Sequence, residues 1–382
     1  MSDMNNGGQI ITCHGWSLPI SRVIQAVTTG PCGLGVHNAV SMLPGQPEPV
    51  TENHHREAVE TELWQLCYQC GLPQLDSLLG ARGIGRLSAL CFPAADRRHL
   101  RVCTMAMLVA LIFDDMLDSR RNEVVTPLAE TLRATMVGDE VGDLGAHPLV
   151  QLAEETFASV RALRPGEPWM RRFMHGFNAF FDMGLRARRR WLTGEASLNI
   201  EGYLDERYYD IGVGPMLSLM ELTHDYILEE HRFDHPELAA FRSACIYNMS
   251  FMNDVFSYHK EVLESGIPTN AIAVIQNQFQ LSFEQAVAAV VLLALRSYGE
   301  FEERTRKILA DQTLSYEEKR YVEGMRNWMA GALQWSRESE RYRDESSPLP
   351  ELRDEVVRID RPSPTRSKSV EALPGGALVM SS

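Results

Sequence analysis

Two stretches carry residue types that could do chemistry together. They are Asp114-Asp115-Met116-Leu117-Asp118 and Asn253-Asp254-Val255-Phe256-Ser257-Tyr258-His259-Lys260-Glu261. Each ends or interrupts an apolar run that reads as helix. Asp114 and Asp118 stand four apart and share one helical face. Asn253, Ser257 and Glu261 repeat at four and four and line another. Carboxylate, amide and hydroxyl oxygens aimed at a common space suit hard divalent cations such as Mg²⁺. Cations held there would grip an anion between the two helices, a diphosphate being the simplest. Three aspartates directly after Ala110-Leu111-Ile112-Phe113 repel one another, lose water and oppose the helix dipole, costs that a bound cation offsets. The plainer alternatives are a solvated helix end running into Ser119-Arg120-Arg121-Asn122 and an exposed polar stripe on the second helix.

The elements that must position these groups are helical. The chain has 382 residues, of which 45% are hydrophobic and 23% charged, an ordinary globular composition with ample length for a core. Thr51 to Cys70 reads as a helix capped by Thr51, with Val59, Leu63, Leu66 and Cys67 at three- and four-residue spacing. Asp96 should cap a helix that runs through Leu100, Cys103, Met107, Leu108 and Leu111 into the first acidic cluster. Further helices are predicted near 125–137, 148–162, 168–192, 199–211, 213–229, 235–264, 282–309 and 315–344, with breakers such as Pro165-Gly166 and Gly266-Ile267-Pro268 between them. Strand-like alternation is nearly absent. The fold class is therefore all-α, a single helical domain over 51–345. Residues 1–50, rich in Gly, Pro, Asn and Thr, read as a partly disordered arm, and 346–382 as a disordered tail.

Several functions are excluded or demoted. A net charge of −14 argues against nucleic-acid binding. The longest apolar run, Val102 to Phe113, is too short to cross a bilayer, so no membrane insertion is expected. The polar N-terminus lacks the pattern of a secretory signal, which predicts a reducing, cytoplasmic setting. The seven cysteines are odd in number and scattered, and Cys67 and Cys70 lack a second pair to complete a zinc site, so all read as structural thiols. His54, His55, His231 and His235 read as surface, His259 carries no assigned role, and Arg186, Arg188, Arg189 and Arg190 read as an exposed basic face.

The two clusters in this order resemble the DDxxD and (N/D)DxxSxxxE motifs of compact microbial class I terpene synthases. Two further matches strengthen the resemblance. Arg207 stands 46 residues before Asn253, where that family has a diphosphate-sensing arginine. Trp335 precedes an Arg341-Tyr342 pair, as near the family's C-terminus. The resemblance covers roughly residues 55–345. It implies a helical bundle around an apolar cavity and three Mg²⁺ ions. Asp114 and Asp118 would be ligands on one side, with Asn253, Ser257 and Glu261 on the other. Asp115 would sit in the same cluster, bonded to an arginine. Arg207, Lys260, Arg341 and Tyr342 would take up charge on the leaving diphosphate. The helix break at Asp210, Ile211 and Gly212 would follow the sensor arginine, with Asp210 tying Arg207 to the break. Phe113, Phe177, Phe181 and Trp335 are the expected cavity walls, shielding a carbocation from water.

The implied substrate is a linear prenyl diphosphate, farnesyl diphosphate first and geranylgeranyl diphosphate second, cyclised to a sesquiterpene or diterpene. Members of that family often pair as homodimers. Two other readings stand beside this one: a chain-elongating prenyltransferase, which would normally carry a second Asp-rich motif, and a catalytically silent helical interaction protein.

Overall fold

A computed structural model describes residues 11–29, 36–44, 50–72, 79, 83–119, 123–195, 198–223 and 226–353. The first ten residues and the tail beyond 353 lie outside the described part. The architecture is all-α, as the periodicity predicts. Its one sheet among the described residues is a hairpin of β1 (Ile11–Cys13) and β2 (Trp16–Leu18). Their antiparallel register pairs Cys13 with Trp16, and His14 and Gly15 form the turn with φ of +47° and +74°. Left-handed angles at both central residues mark the tight hairpin turn whose twist matches the strands.

The helices follow in chain order: α1 (Ile20–Thr29), α2 (Ala39–Met42), α3 (Arg56–Gln69), α4 (Ile84–Cys91), α5 (Arg97–Leu117) and α6 (Val125–Val137). Next come α7 (Pro148–Ala162), α8 (Glu167–Thr193), α9 (Ile200–Asp210), α10 (Val213–Thr223) and α11 (Glu230–Phe233). The last four are α12 (Pro236–Tyr258), α13 (Ala271–Phe279), α14 (Phe283–Ala310) and α15 (Tyr316–Glu338). α12 is buried along almost its whole length and packs on α14, α9 and α15. α5 packs on α3, α4, α7, α8 and α10. The two motif helices therefore run through the interior and end at the same side of the molecule.

Start signals in the sequence are realised where a side chain can accept from the first turn. Asp96 Oδ1 accepts from His99 N at 2.8 Å, capping α5 as expected. Ser282 and Ser315 form capping boxes with Gln285 and Glu318. Thr51 does not cap α3, which begins at Arg56. Asn53 organises that entry instead: its Oδ1 accepts from His55 N and its Nδ2 donates to the Phe92 and Ala95 carbonyls. Six short elements escaped the sequence reading, namely the hairpin, α1, α2, α4, α11 and α13.

The arm is not merely extended. Trp16, Leu18, Ile20, Val23 and Val27 are buried, and Trp16 stacks on Tyr247 of α12 with ring centroids 4.7 Å apart. The start of the tail also docks. Glu351 accepts from Val40 N at 2.6 Å and from Ser41 N at 3.0 Å, occupying the open first turn of α2. Ser347, Leu349 and Leu352 are buried beside it. N- and C-terminal segments thus clasp each other on the helical body.

Backbones approach closely where α15 crosses α4. A Cβ at Gly331 would overlap the Leu90 carbonyl oxygen, which cannot swing aside as a flexible side chain could. Gly331→Ala should therefore destabilise the protein by about 1–3 kcal/mol, read as a lower chemical-denaturation midpoint.

Candidate active site

α5 delivers the first cluster. Its C-terminal carbonyls are not left to water: the buried Arg188 donates Nη1 to the Leu117 carbonyl at 2.6 Å and to that of Ser119. Its guanidinium also sets positive charge against the unfavourable end of the helix dipole. Arg190 is buried too, forking onto Glu206 at 2.6 to 2.8 Å. Within the run from Arg186 to Arg190, Arg186 and Arg189 are exposed as expected, while Arg188 and Arg190 are buried. Arg188 finds the carbonyls at the end of α5, and Arg190 finds the Glu206 carboxylate.

Carboxylate oxygens of Asp114, Asp115 and Asp118 lie within 4.8 Å of one another. Two internal cations hold them. Lys260 Nζ donates to Asp118 Oδ2 at 2.6 Å and to Asp115 Oδ1 at 3.0 Å. Arg341 Nη1 donates to Asp115 Oδ2 at 3.1 Å, and its Nη2 reaches Asp115 Oδ1 at 2.9 Å and Asp114 Oδ2 at 3.4 Å. Asp115 thus faces an arginine, as the motif implies. Burial alone would lower the Lys260 pKa, and Arg341 adds to that; the three aspartates overcome both and keep the ammonium charged. Arg341 behaves likewise, held charged by Asp115 against its burial.

The triad meets this cluster from α12. Past Tyr258 the helix widens into a π-helical turn over His259–Glu264, where a continuous helix to 264 is predicted from sequence. The wider turn carries Lys260 and Glu261, and such turns often mark functional positions. Likewise, α15 stops at Glu338, and Arg341 and Tyr342 ride on a separate 3₁₀ turn opened by Ser339, whose Oγ accepts from Arg341 N.

Arg207 on α9 bridges three groups. Its Nη1 donates to Asp210 Oδ2 at 3.0 Å, and its Nη2 donates to Asn253 Oδ1 at 2.6 Å and to Asp254 Oδ1 at 2.7 Å. Asp254 points inward, fully buried, and also accepts from Tyr203 OH at 2.7 Å and from Ala271 N. Asn270 Nδ2 donates to Glu261 Oε2 at 3.1 Å and to the Asp254 carbonyl at 2.9 Å. Tyr342 OH accepts from Asn253 Nδ2 at 3.2 Å. Asp254, Tyr203 and Asn270 were not singled out from sequence, although Asp254 stands inside the quoted motif.

The break after Arg207 is present. α9 ends at Asp210, Gly212 has φ of +68°, and α10 starts at Val213. A Cβ on Gly212 would meet the Phe180 ring at 3.3 Å, so close approach and backbone angle both favour glycine.

One cavity connects these groups, about 740 Å³ when counted to its open mouth. Asp114, Asn253, Ser257, Lys260, Glu261, Arg207, Arg341 and Tyr342 stand at its polar end, with Asp210, Ile211 and Gly212 along one side. Leu87, Met107, Ala110, Leu111, Phe180, Val213, Met216 and Trp328 make the apolar remainder. Asp118 borders an adjoining hollow shared with Asp114, Arg207 and Glu261.

The expected aromatic walls are corrected by this lining. Phe113 sits one residue off the Met107-Ala110-Asp114 face and packs edge-on against Phe181 at 4.7 Å. Phe177 and Phe181 belong to a buried stripe with Phe157 and Phe173, none of which lines the cavity. Trp335 donates Nε1 to the Gly83 carbonyl at 3.1 Å and braces Tyr342 edge-on from behind. Phe180 and Trp328 take the wall positions instead. Counting back three, four and seven residues from Asp114 would have found Leu111, Ala110 and Met107.

The donor set fits a hard divalent cation. Its atoms are carboxylate, amide and hydroxyl oxygens, and no thiol or imidazole lines the cavity among the described residues. Ser257 Oγ is buried inside the set with no hydrogen-bond partner among the described residues, and Arg207 Nε and Arg341 Nε are in the same condition. A buried hydroxyl left unmatched in a ring of oxygens is accounted for by a ligand.

The all-α fold and an oxygen-rich donor set beside an apolar cavity are those expected of a metal-binding terpene synthase, and the comparisons with known proteins place the chain in that family. A profile described as Terpene synthase family 2, C-terminal metal binding, matches residues 105–298. Sesquiterpene synthase Agr1 of Cyclocybe aegerita is 25% identical over 293 residues, covering 76% of this chain and 84% of that protein. Isoafricanol synthase of Streptomyces malaysiensis is 29% identical over 279 residues, covering 67% and 69%. The solved germacradien-4-ol synthase from Streptomyces citricolor superposes with a TM-score of 0.65 at 21% identity, over 77% of this chain and 97% of that one. The chain belongs to the terpene synthase family and is a class I enzyme that binds divalent metal. The silent interaction protein is thereby set aside. No helix of the described residues is long and apolar enough to cross a membrane.

Charge crowding at the cavity mouth has a pH signature. Partial burial and the neighbouring Asp118 push the Asp114 carboxyl up to about 7, against Lys260 and Arg341. Burial, with Asp254 and Asp118, pushes Glu261 up to about 8, against Arg207 and Lys260. Both folded-state values lie above the ordinary carboxyl range, so folding takes up protons. Their stabilisation is complete below about pH 4 and is lost as pH rises through the raised values. Without metal, Asp114→Asn should flatten part of the fall in melting temperature between about pH 5 and about pH 8, relative to the unaltered protein in the same chelating buffer.

Proposed function

We propose that the enzyme ionises a linear prenyl diphosphate, with farnesyl diphosphate preferred, and cyclises the resulting carbocation to a sesquiterpene. One observation carries this reading: oxygen ligands from α5 and α12 converge with three cationic side chains at the polar end of a single apolar cavity. Asp114, Asp118, Asn253, Ser257 and Glu261 are the residues that would hold Mg²⁺, three ions in all as the motif pair implies. Bound ions would supply positive charge to the diphosphate as its bond to carbon breaks.

The chain's own residues do the rest. Arg207 offers a fork at the cavity side of α9, and the Asp210 carboxylate at 3.0 Å fixes its direction. Lys260 and Arg341, now paired with the aspartates, lie within reach of an anion entering the same space. Burial raises the Tyr342 hydroxyl above its ordinary pKa, so it stays a donor at neutral pH. Electrostatic stabilisation of the leaving group needs no protein nucleophile. Phe180 and Trp328 line the apolar end, where they would stabilise the cation and keep water out. The sesquiterpene synthases among the curated relatives support the fifteen-carbon substrate over geranylgeranyl diphosphate.

Incubation with farnesyl diphosphate and Mg²⁺ should release diphosphate and give cyclic fifteen-carbon products on gas chromatography–mass spectrometry. A longer prenyl diphosphate as product would instead favour chain elongation. Asp114→Ala and Asn253→Ala should each lower turnover by roughly 10²–10³-fold while circular dichroism retains full helicity. Phe180→Ala should keep diphosphate release but shift the products toward linear and water-trapped alcohols. An unchanged product profile would remove Phe180 from the wall.

A further inference from the structure

Metal-ligating side chains also converge on the other face of α9, away from the cavity. Cys13 ends β1, His14 opens the hairpin turn, and Asp205 comes from α9, two residues before Arg207. One ligand atom from each lies within 4.8 Å of the others. Asp205 Oδ1 is 3.4 Å from His14 Nε2 and 3.9 Å from Cys13 Sγ.

These separations are close to the edges of a tetrahedron around one ion. Zinc bonds of about 2.0–2.1 Å to nitrogen or oxygen and about 2.3 Å to sulfur require edges of about 3.3 Å for N···O and about 3.5 Å for S···O. His14 Nε2 is buried and makes no hydrogen bond among the described residues, although the Asp205 oxygen faces it at 3.4 Å. Two atoms that face each other without hydrogen-bond alignment are placed as ligands to a third would be.

The imidazole is held for such a role. It stacks on Tyr208 with ring centroids 4.0 Å apart and meets the edge of Tyr209 at 5.3 Å. His14 also adopts φ of +47°, an angle that Asn or Gly would take at less cost in this turn. Burial pushes the Cys13 thiol up, and Asp205 adds to that against a hydrogen bond with Tyr247, so a bound cation would be needed to draw off its proton. Asp205 is exposed, leaving an entry path and a fourth position for water. A thiol and an imidazole are poor partners for Mg²⁺ or Ca²⁺ and good ones for a borderline-soft ion.

We propose that Cys13, His14 and Asp205 form a second metal site, separate from the oxygen-rich cavity, that takes Zn²⁺ or a chemically similar transition ion. Binding replaces the Cys13 S–H bond with an S–metal bond and releases that proton to solvent. His14 donates the Nε2 lone pair, and Asp205 one carboxylate oxygen. The ion clips the hairpin to α9, the helix whose opposite face carries Arg207.

Co²⁺ added to the chelator-treated full-length protein, with excess Mg²⁺ present to occupy the oxygen site, tests this. One equivalent should produce a thiolate-to-cobalt charge-transfer band together with proton release. Cys13→Ser should abolish the band. Asp205→Asn, an exposed change, should weaken cobalt binding by roughly 10-fold or more. Zn²⁺ should raise the melting temperature of the unaltered protein but not of Cys13→Ser. Absence of the band in folded protein, or its persistence in Cys13→Ser, would overturn the site. Should Cys13→Ser fail to fold, equal cobalt affinity in Asp205→Asn, His14→Gln and the unaltered chain would overturn it as well.

Discussion

Acidic groups crowded into the mouth of a low-dielectric cavity must be neutralised by something, and the structure is arranged around that need. Asp114, Asp115 and Asp118 come from α5, Asp210 from α9, Asp254 from α12 and Glu261 from the turn that follows it. Unpaired, they would repel one another and forfeit hydration. Lys260, Arg207 and Arg341 provide the balance, and each joins elements distant in sequence. Lys260 ties the turn after α12 to α5; Arg207 ties α9 to α12; Arg341 ties the C-terminal 3₁₀ turn to α5. The ion pairs are therefore struts as well as counter-charges.

Irregular backbone gathers at the same place. The helix break at Gly212, the π-helical turn that carries Lys260 and Glu261, and the short turn that carries Arg341 and Tyr342 all border the cavity. Regular helices would aim these side chains along fixed faces. Each departure redirects one pair of residues toward the shared space. The surrounding helices are regular and closely packed, as the Gly331 contact with α4 requires, so the site's irregularity rests on a stiff frame.

The terminal segments bind to this frame more firmly than their composition suggests. Polar and glycine-rich stretches read as disordered because they offer little apolar surface. Here a few side chains suffice: Trp16 stacks on Tyr247, and Glu351 fills the open end of α2. Strands of three residues leave no periodic trace, so only their contacts reveal them.

The chain's own order determined the helical class, most long helices and which residues stand as candidates to hold metal and diphosphate. Those features depend on spacing of three, four and seven residues or on motifs within single segments. The position of Asp96 as a cap, and the shared face of Asn253, Ser257 and Glu261, are of this local kind. Tertiary structure alone decided which aromatic rings meet the cavity. Phe180 lines it while Phe177 and Phe181, on the same helix, do not. It also turned Arg188 and Arg190 from a supposed surface into a helix cap and a buried ion pair. The physical reason is common to both: periodicity fixes the angle between side chains on one helix, but what each face meets depends on how remote helices pack against it.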